Sequence, residues 1–372
     1  MSHRPRPQPT PPTADRSWSF PIARVAGIEI RVHATFFLLV ALFVFAGTEP
    51  GGLGVAGSLI WLVAIFACVV VHELAHCFVG QSRGAVVEEI VLLPLGGVSK
   101  LERLPETPRD ELAMAIAGPA ASIALAGLAG LVAAIVREPL IPIDLYTGAL
   151  VARLFWFNLI IAAFNLLPAF PLDGGRVFRA LLEQRYDLER ATHLAARVGR
   201  VFAIVLILVG VFVNLWFSII GVFVYLGASA EEAATIVHVR LMGHVVADVM
   251  LLDPVIVSPT ATIDDLRALL RRSAQRAFPV VDAEGSVGLV DARAIERGTQ
   301  GQSAAELAEY TTPIVAPTDG LEDHLPVVAS APARALVVVD GGRVVGVLRL
   351  EDVAHLVAED TPPDGHGTSA AP

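Results

Sequence analysis

Cysteine and charge are both scarce in this sequence. There are two cysteines, Cys68 and Cys77, in 372 residues, which excludes the disulfide framework that staples small secreted folds. Only 17% of residues are charged, against 54% hydrophobic, and the mean hydropathy is +0.64. That is too apolar for an ordinary soluble protein and suits an integral membrane protein carrying some soluble mass. The stretch MSHRPRPQPTPPTADRSW lacks the apolar run of a secretory signal. Residues 1–19 therefore read as a flexible proline-rich arm, and the first apolar span as an uncleaved membrane signal. A basic excess is missing too: residues 228–372 hold 21 acidic and 10 basic side chains, which argues against a nucleic-acid partner. Without an organelle address, the Ala-, Val- and Arg-rich usage points to a bacterial inner membrane.

Six apolar spans can be drawn, roughly 33–48, 56–80, 111–136, 147–168, 200–214 and 215–234. Arg24 and Arg31 precede the first. Arg83, Lys100, Arg103 and Arg109 follow the second, and Arg176, Arg179 and Arg185 follow the fourth. The loops near 49–55, 137–146 and 214 hold Arg137 alone. This bias puts both termini, and the ends of spans two and four, in the cytosol. Between spans two and three, GAVVEEIVLLPLGGVSKLERL (84–104) is β-branched and too short to cross twice. It is expected to form a hairpin or re-entrant β element against the helices. The expected fold class is a polytopic α-helical membrane domain over 20–236, with about six transmembrane helices and that β element, followed by a soluble α/β module.

The soluble part repeats itself. VSPT at 257–260 returns as VAPT at 315–318, and VVDAEGSVGLV at 280–290 as VVDGGRVVGVL at 338–348, each pair offset by 58 residues. Each copy, 245–300 and 303–359, reads as a strand, a helix, a two-strand unit and a helix. A flexible tail, 360–372, follows.

The run from Gly51 to Val71 has no charge, yet it leads directly into VHELAHCFVG. A charge near a bilayer centre costs about 2.5–3.5 kcal/mol on insertion scales, so such residues point to function. His72 and His76, four apart, lie about 40° apart on one helix face, where two imidazoles reach one tetrahedral metal ion. Glu73 flanks that face, placed to meet a water instead of the metal. This is the zinc-hydrolase pattern H-E-x-x-H. A third ligand is offered by NLLPAFPLDGGR (165–176): Pro168 and Pro171 break the helix, Gly174-Gly175 permit a sharp turn, and Asp173 is freed to turn inward. The bland alternative is that Asp173 caps the next helix. Asn165 either ties helices together or holds substrate or a developing oxyanion. Cys77 reads as packing and His33 as an interfacial residue.

HELAH and NLLPAFPLDGGR, with the small-residue AIAGPAAS (115–122) of span three, resemble the site-2 protease family of intramembrane zinc metalloproteases. The resemblance covers about residues 20–230. It implies that His72, His76 and Asp173 bind zinc and that Glu73 is the catalytic base. It also implies that 84–104 pairs with an unwound substrate, with Gly96 and Gly97 joining Asn165 as substrate or oxyanion candidates. The repeated tail resembles a tandem pair of cystathionine-β-synthase (CBS) domains. Such pairs often bind adenine nucleotides through a hydroxyl residue followed three positions later by aspartate. Here the first copy has Asp291 and Ala294 and the second Arg349 and Asp352, which leaves Asp352 as the ribose-binding candidate.

The expected activity is zinc-dependent cleavage of a transmembrane protein near the cytosolic face, within the lipid bilayer. Regulation would come from the CBS pair, which could also join two protomers. The rival is a membrane transporter or ion-responsive channel with a regulatory CBS pair. A transporter has no need of H-E-x-x-H, and no repeated membrane halves are visible. A third reading, zinc held for structure, conflicts with three protein ligands and an open position.

Overall fold

The computed structural model describes residues 18–48, 53–93, 96–103, 107–145 and 147–359. The tail 360–372 and all but the end of the proline-rich arm lie outside the described residues. The chain forms two compact units, dividing after Thr235.

The first unit contains β1 (Ser19–Val25), β2 (Ile28–His33), α1 (Phe36–Thr48), α2 (Gly54–Ser82), β3 (Val86–Leu93), β4 (Gly96–Arg103), α3 (Pro108–Val136), α4 (Leu150–Asn165), α5 (Asp173–Leu182), α6 (Leu188–Val213) and α7 (Leu215–Leu241), the last running past Thr235. By length and composition α2, α3, α6 and α7 can cross a membrane. Side chains such as Val63, Leu131, Ile135 and Phe212 stand exposed on them, a surface that lipid solvates and water does not. This is a membrane protein. The expected first and fourth spans are shorter than drawn: α1 has 13 residues and α4 has 16. At 1.5 Å per residue they reach about 20 and 24 Å, against a hydrocarbon layer of about 30 Å.

Residues 19–33 form two strands that the sequence pattern did not signal. The expected hairpin at 84–104 is present as β3–β4, with residues 94, 95 and 104 outside the described residues. It is half of a four-stranded sheet, β1-β2-β3-β4, in which β2 runs parallel to β3. Ile28, Ile30 and Val32 of β2, with Ile90 and Leu92 of β3, pack against Leu62, Phe66 and Val69 of α2. Alternation puts Arg31 on the other face, where it pairs with Glu29 at 2.6 Å and Glu89 at 3.6 Å. One arginine counted as membrane-flanking charge is thus locked inside the sheet. β4 forms an edge of that sheet.

α4 stops at Asn165 because Pro168 and Pro171 cannot continue it. The expected sharp turn at Gly174-Gly175 lies earlier, over 166–172, and both glycines are helical. They serve close packing instead. A Cβ on Gly174 would overlap the Leu166 and Leu167 carbonyls, and one on Gly175 would come within 2.6 Å of the Phe170 amide nitrogen. From α7, a Cβ on Gly227 would come within 2.6 Å of Pro171. Backbone therefore clamps the turn from several sides.

The second unit contains β5 (Leu251–Leu252), α8 (Ile263–Arg272), β6 (Ala277–Val281), β7 (Val287–Asp291), α9 (Ala292–Arg297), α10 (Ala304–Leu307), β8 (Ile314–Val315), α11 (Leu321–Ser330), β9 (Ala335–Asp340), β10 (Arg343–Arg349) and α12 (Leu350–Glu359). The repeat is visible in the starts of α8 and α11, β6 and β9, and α9 and α12, each pair 58 residues apart. The copies interleave: β5 joins the sheet β5-β10-β9-β8, while β6 and β7 pair with each other. Leu336, Val338 and Leu348 fill the core on the second copy's side, and Phe278, Val280 and Val290 on the first's.

Candidate metal centre

His72 and His76 lie on α2, one turn apart, facing α3 and the start of α5. Each ring is oriented from behind by α3. His76 Nδ1 lies 2.7 Å from the Met114 carbonyl, which only accepts, so this nitrogen carries the proton. His72 Nδ1 lies 2.9 Å from the hydroxyl of Ser122, a residue with no exposed surface. That hydroxyl can accept from a ring N–H as the carbonyl does, and a ring protonated at Nδ1 points its Nε2 lone pair forward. Between these two contacts comes Gly118, where a Cβ would overlap the Nε2 atoms of both histidines. Only a glycine leaves room there.

Asp173 opens α5 and sends its carboxylate into the same space. His72 Nε2, His76 Nε2 and Asp173 Oδ2 are mutually 3.2 Å apart. Their side chains are 5%, 13% and 18% exposed. With both Nε2 atoms unprotonated, three lone-pair donors at this spacing repel one another unless a cation lies between them. A tetrahedral ion with bonds of about 2.0–2.1 Å separates its donors by about 3.3–3.4 Å. The two-nitrogen, one-oxygen set thus fits zinc, with a fourth position left over. Among the described residues, this is the one group of three or more His, Cys, Asp or Glu side chains so arranged.

Glu73 lies against β4: a Cβ on Gly97 would come within 2.5 Å of its Cγ. Gly96, opposite Leu93 at the hairpin end, has φ +142 and open space around it, so it stands apart from the donor set. Asn165 ends α4 half-buried and makes no side-chain hydrogen bond to the described residues. Asn158, by contrast, is buried and ties α4 to α2, donating to the Leu154 carbonyl at 2.8 Å and Cys68 Sγ at 3.3 Å. Cys77 packs in the core between α2 and the sheet. Ser122, Gly118 and the Met114 carbonyl were not singled out from the sequence. A serine closing AIAGPAAS inside an apolar span was the available signal for the first.

In the second unit both oxygens of Asp352 accept from Arg349, at 2.7 and 2.5 Å. The nearby cleft, of about 410 Å³, is lined by Arg276, Arg334, Arg349 and Glu351 without Asp352. Arg276 and Arg334 occupy equivalent positions of the two copies. The cleft offers guanidinium groups to an anion, while the ribose-binding candidate Asp352 is engaged by Arg349.

Peptidase family M50 matches residues 60–147 and 142–206, and the CBS domain matches 246–297. Zinc metalloprotease MJ0392 of Methanocaldococcus jannaschii is 30% identical over 342 residues, 91% of this chain and 95% of that protein. The chain belongs to peptidase family M50. Rip3 of Mycobacterium tuberculosis is 33% identical over 370 residues, 91% of this chain and 93% of its own length. Among solved structures, the site-2 protease from Methanocaldococcus jannaschii is 32% identical, with a TM-score of 0.46, and the match covers 58% of this chain and 95% of that one. This M50 member is a zinc metalloprotease with CBS sequence in its soluble part, which decides against the transporter and structural-zinc readings.

Proposed function

We propose that this M50 peptidase cleaves a transmembrane helix near the cytosolic membrane face, with His72, His76 and Asp173 as zinc ligands and Glu73 as general base. The observation that carries the reading is the triangle of three donor atoms 3.2 Å apart, two of them on a helix too apolar to hold such groups by chance. Bound zinc supplies Lewis-acid polarisation of the scissile carbonyl and brings the pKa of water toward about 7. Glu73 takes the attacking water's proton and returns it to the leaving amine. Ser122 and the Met114 carbonyl hold the imidazoles in the ligating tautomer. A substrate helix hides its amides in hydrogen bonds, so it must unwind locally. β4, an edge strand with Gly97 against Glu73, would receive the extended segment by strand addition. Gly96 would extend that track, and Asn165 would bind substrate or the developing oxyanion.

The same reading takes α1 and α4 as membrane-embedded, giving six membrane helices over 20–236 with the β3–β4 hairpin re-entrant. Both termini are cytosolic, in a bacterial inner membrane. The two CBS copies, 245–300 and 303–359, regulate access by pairing two protomers or by an anionic ligand at Arg276 and Arg334. If that ligand is an adenine nucleotide held through its ribose, Asp352→Ala abolishes its binding; unchanged affinity removes the ribose contact.

The test is zinc content together with single-turnover cleavage of a fluorescent transmembrane peptide in detergent, comparing wild type with Glu73→Gln. Zinc in both, with cleavage by wild type alone, supports the reading. Wild type prepared without chelators and lacking zinc would sink it.

A further inference from the structure

The proposed ligands come from two helices, and the following rests on that reading. α5 has only ten residues, too few to hold its place by helix propensity alone. Something outside it must fix where Asp173 sits. Arg179, six residues along the same helix, is 7% exposed. Its guanidinium lies 5.3 Å from the ring centre of Phe170, a fully buried residue of the turn that leads into Asp173. From there it reaches beyond its own helix. Nη2 donates to Glu111 of α3. Nη1 donates to the Thr235 hydroxyl at 3.3 Å and lies 3.5 Å from Glu231, both on α7. At the C-terminal end of α5, Nε lies 3.7 Å from Glu183, whose carboxyl is pushed up by burial and then by the charge of Glu111.

The partner on α3 is the informative one. Glu111, Met114, Gly118 and Ser122 succeed each other at intervals of three, four and four residues, a single stripe of that helix. Met114 and Ser122 orient His76 and His72, and Gly118 makes room for both. Glu111 adds the third ligand's helix to the same stripe. Only a planar fork with several donors can engage α3, α7 and the Phe170 ring together, and the site's burial keeps salt from screening the contact.

We propose that Arg179 is a positioning residue that registers α5 on α3 and so sets how far Asp173 reaches toward His72 and His76. Metal affinity then depends on an ion pair about 9 Å of helix away from the ligand.

The test uses the full chain in detergent, with Arg179→Gln, Glu111→Gln and, for comparison, Arg200→Gln. Arg200 pairs with Glu232 between α6 and α7, without a residue of α5 in the pair, and sets the scale for a general loss of an ion pair. Zinc affinity is measured by chelator competition, ligand geometry by the visible spectrum of the cobalt-substituted protein, and folding by thermal unfolding of the metal-free chain. The expected result is zinc binding weakened about tenfold or more, with an altered cobalt spectrum, in Arg179→Gln and Glu111→Gln but not in Arg200→Gln. Glu111→Gln keeps the side chain's size and carries the test if Arg179→Gln does not fold. Unchanged affinity and spectrum, or equal losses in all three variants, would overturn the inference. Absence of zinc from wild type itself appears before any substitution, and overturns the underlying site reading along with this one.

Discussion

Ser122→Ala removes one oxygen atom and nothing else from the neighbourhood of His72. That oxygen lies 2.9 Å from His72 Nδ1, and Ser122 has no exposed surface, so water does not take its place. The ring N–H loses its acceptor in a buried site, a cost of about 1–3 kcal/mol. At about 1.4 kcal/mol per decade of binding constant, zinc affinity should fall roughly 5- to 150-fold, which overlaps the 10–100-fold typical of outer-shell partners. The assay is zinc competition with a chromophoric chelator at pH 7, beside Ser218→Ala. Ser218 is also buried, but donates to the Ile207 carbonyl at 2.9 Å, far from the ligands. Cleavage by Ser122→Ala should recover in excess zinc, because the ligands themselves are intact. An affinity change of less than about threefold, or an equal loss in Ser218→Ala, would refute the idea that this hydroxyl sets the ring's tautomer and direction.

Two glycine substitutions should fail in different ways. Gly118→Ala drives a methyl into both Nε2 atoms, which are held by α2 and cannot retreat, so zinc content should drop to background by metal analysis. Gly97→Ala meets the flexible Glu73 side chain at 2.5 Å, so zinc should stay while single-turnover cleavage slows; normal turnover would separate Glu73 from the strand. In the CBS unit, hydrogen bonds from the Thr262 hydroxyl and then its amide hold the Asp265 carboxyl below the ordinary 3.8. With a depressed folded value, Asp265 contributes stability above about pH 4 that is lost as pH falls through the folded value. Asp265→Asn should therefore unfold at a lower temperature than wild type at pH 5, with the gap narrowing at pH 3. A constant gap in thermal melts would contradict this.

What could be read from the sequence was whatever chemistry is written in side-chain letters at fixed spacing. His72, Glu73 and His76 share a helix, so their relation follows from 3.6 residues per turn. The 58-residue repeat was equally plain, because both copies use the same strand and helix periods. Asp173 was reachable only by combining the proline breaks with topology, and its local reason was misread. Gly174-Gly175 resemble turn residues, but they act where backbone presses on backbone, and a sequence does not say which helices touch. The strands β1 and β2 were hidden for a related reason. Seven and six residues long, they carry Arg24, Arg31 and Glu29 next to an apolar span. Only the pairing of Arg31 with Glu29 and Glu89 explains a charge buried on the sheet.

The contribution of α3 shows the limit most clearly. No position on this helix supplies a ligand, and its window reads as Ala, Gly, Ile and Leu. Yet one stripe of it bonds both imidazoles, leaves the gap they occupy and anchors the helix that carries Asp173. One of those contacts is made by a backbone carbonyl, which any residue at position 114 would provide. Another depends on the absence of a side chain, and a third on a single hydroxyl. Helix packing had to be known before any of them acquired meaning. The consequence is physical: with His72, His76 and Asp173 as the proposed ligands, the dimensions of the site would be set by α3. Substitutions on α3 should therefore change affinity and geometry while leaving every donor atom in place.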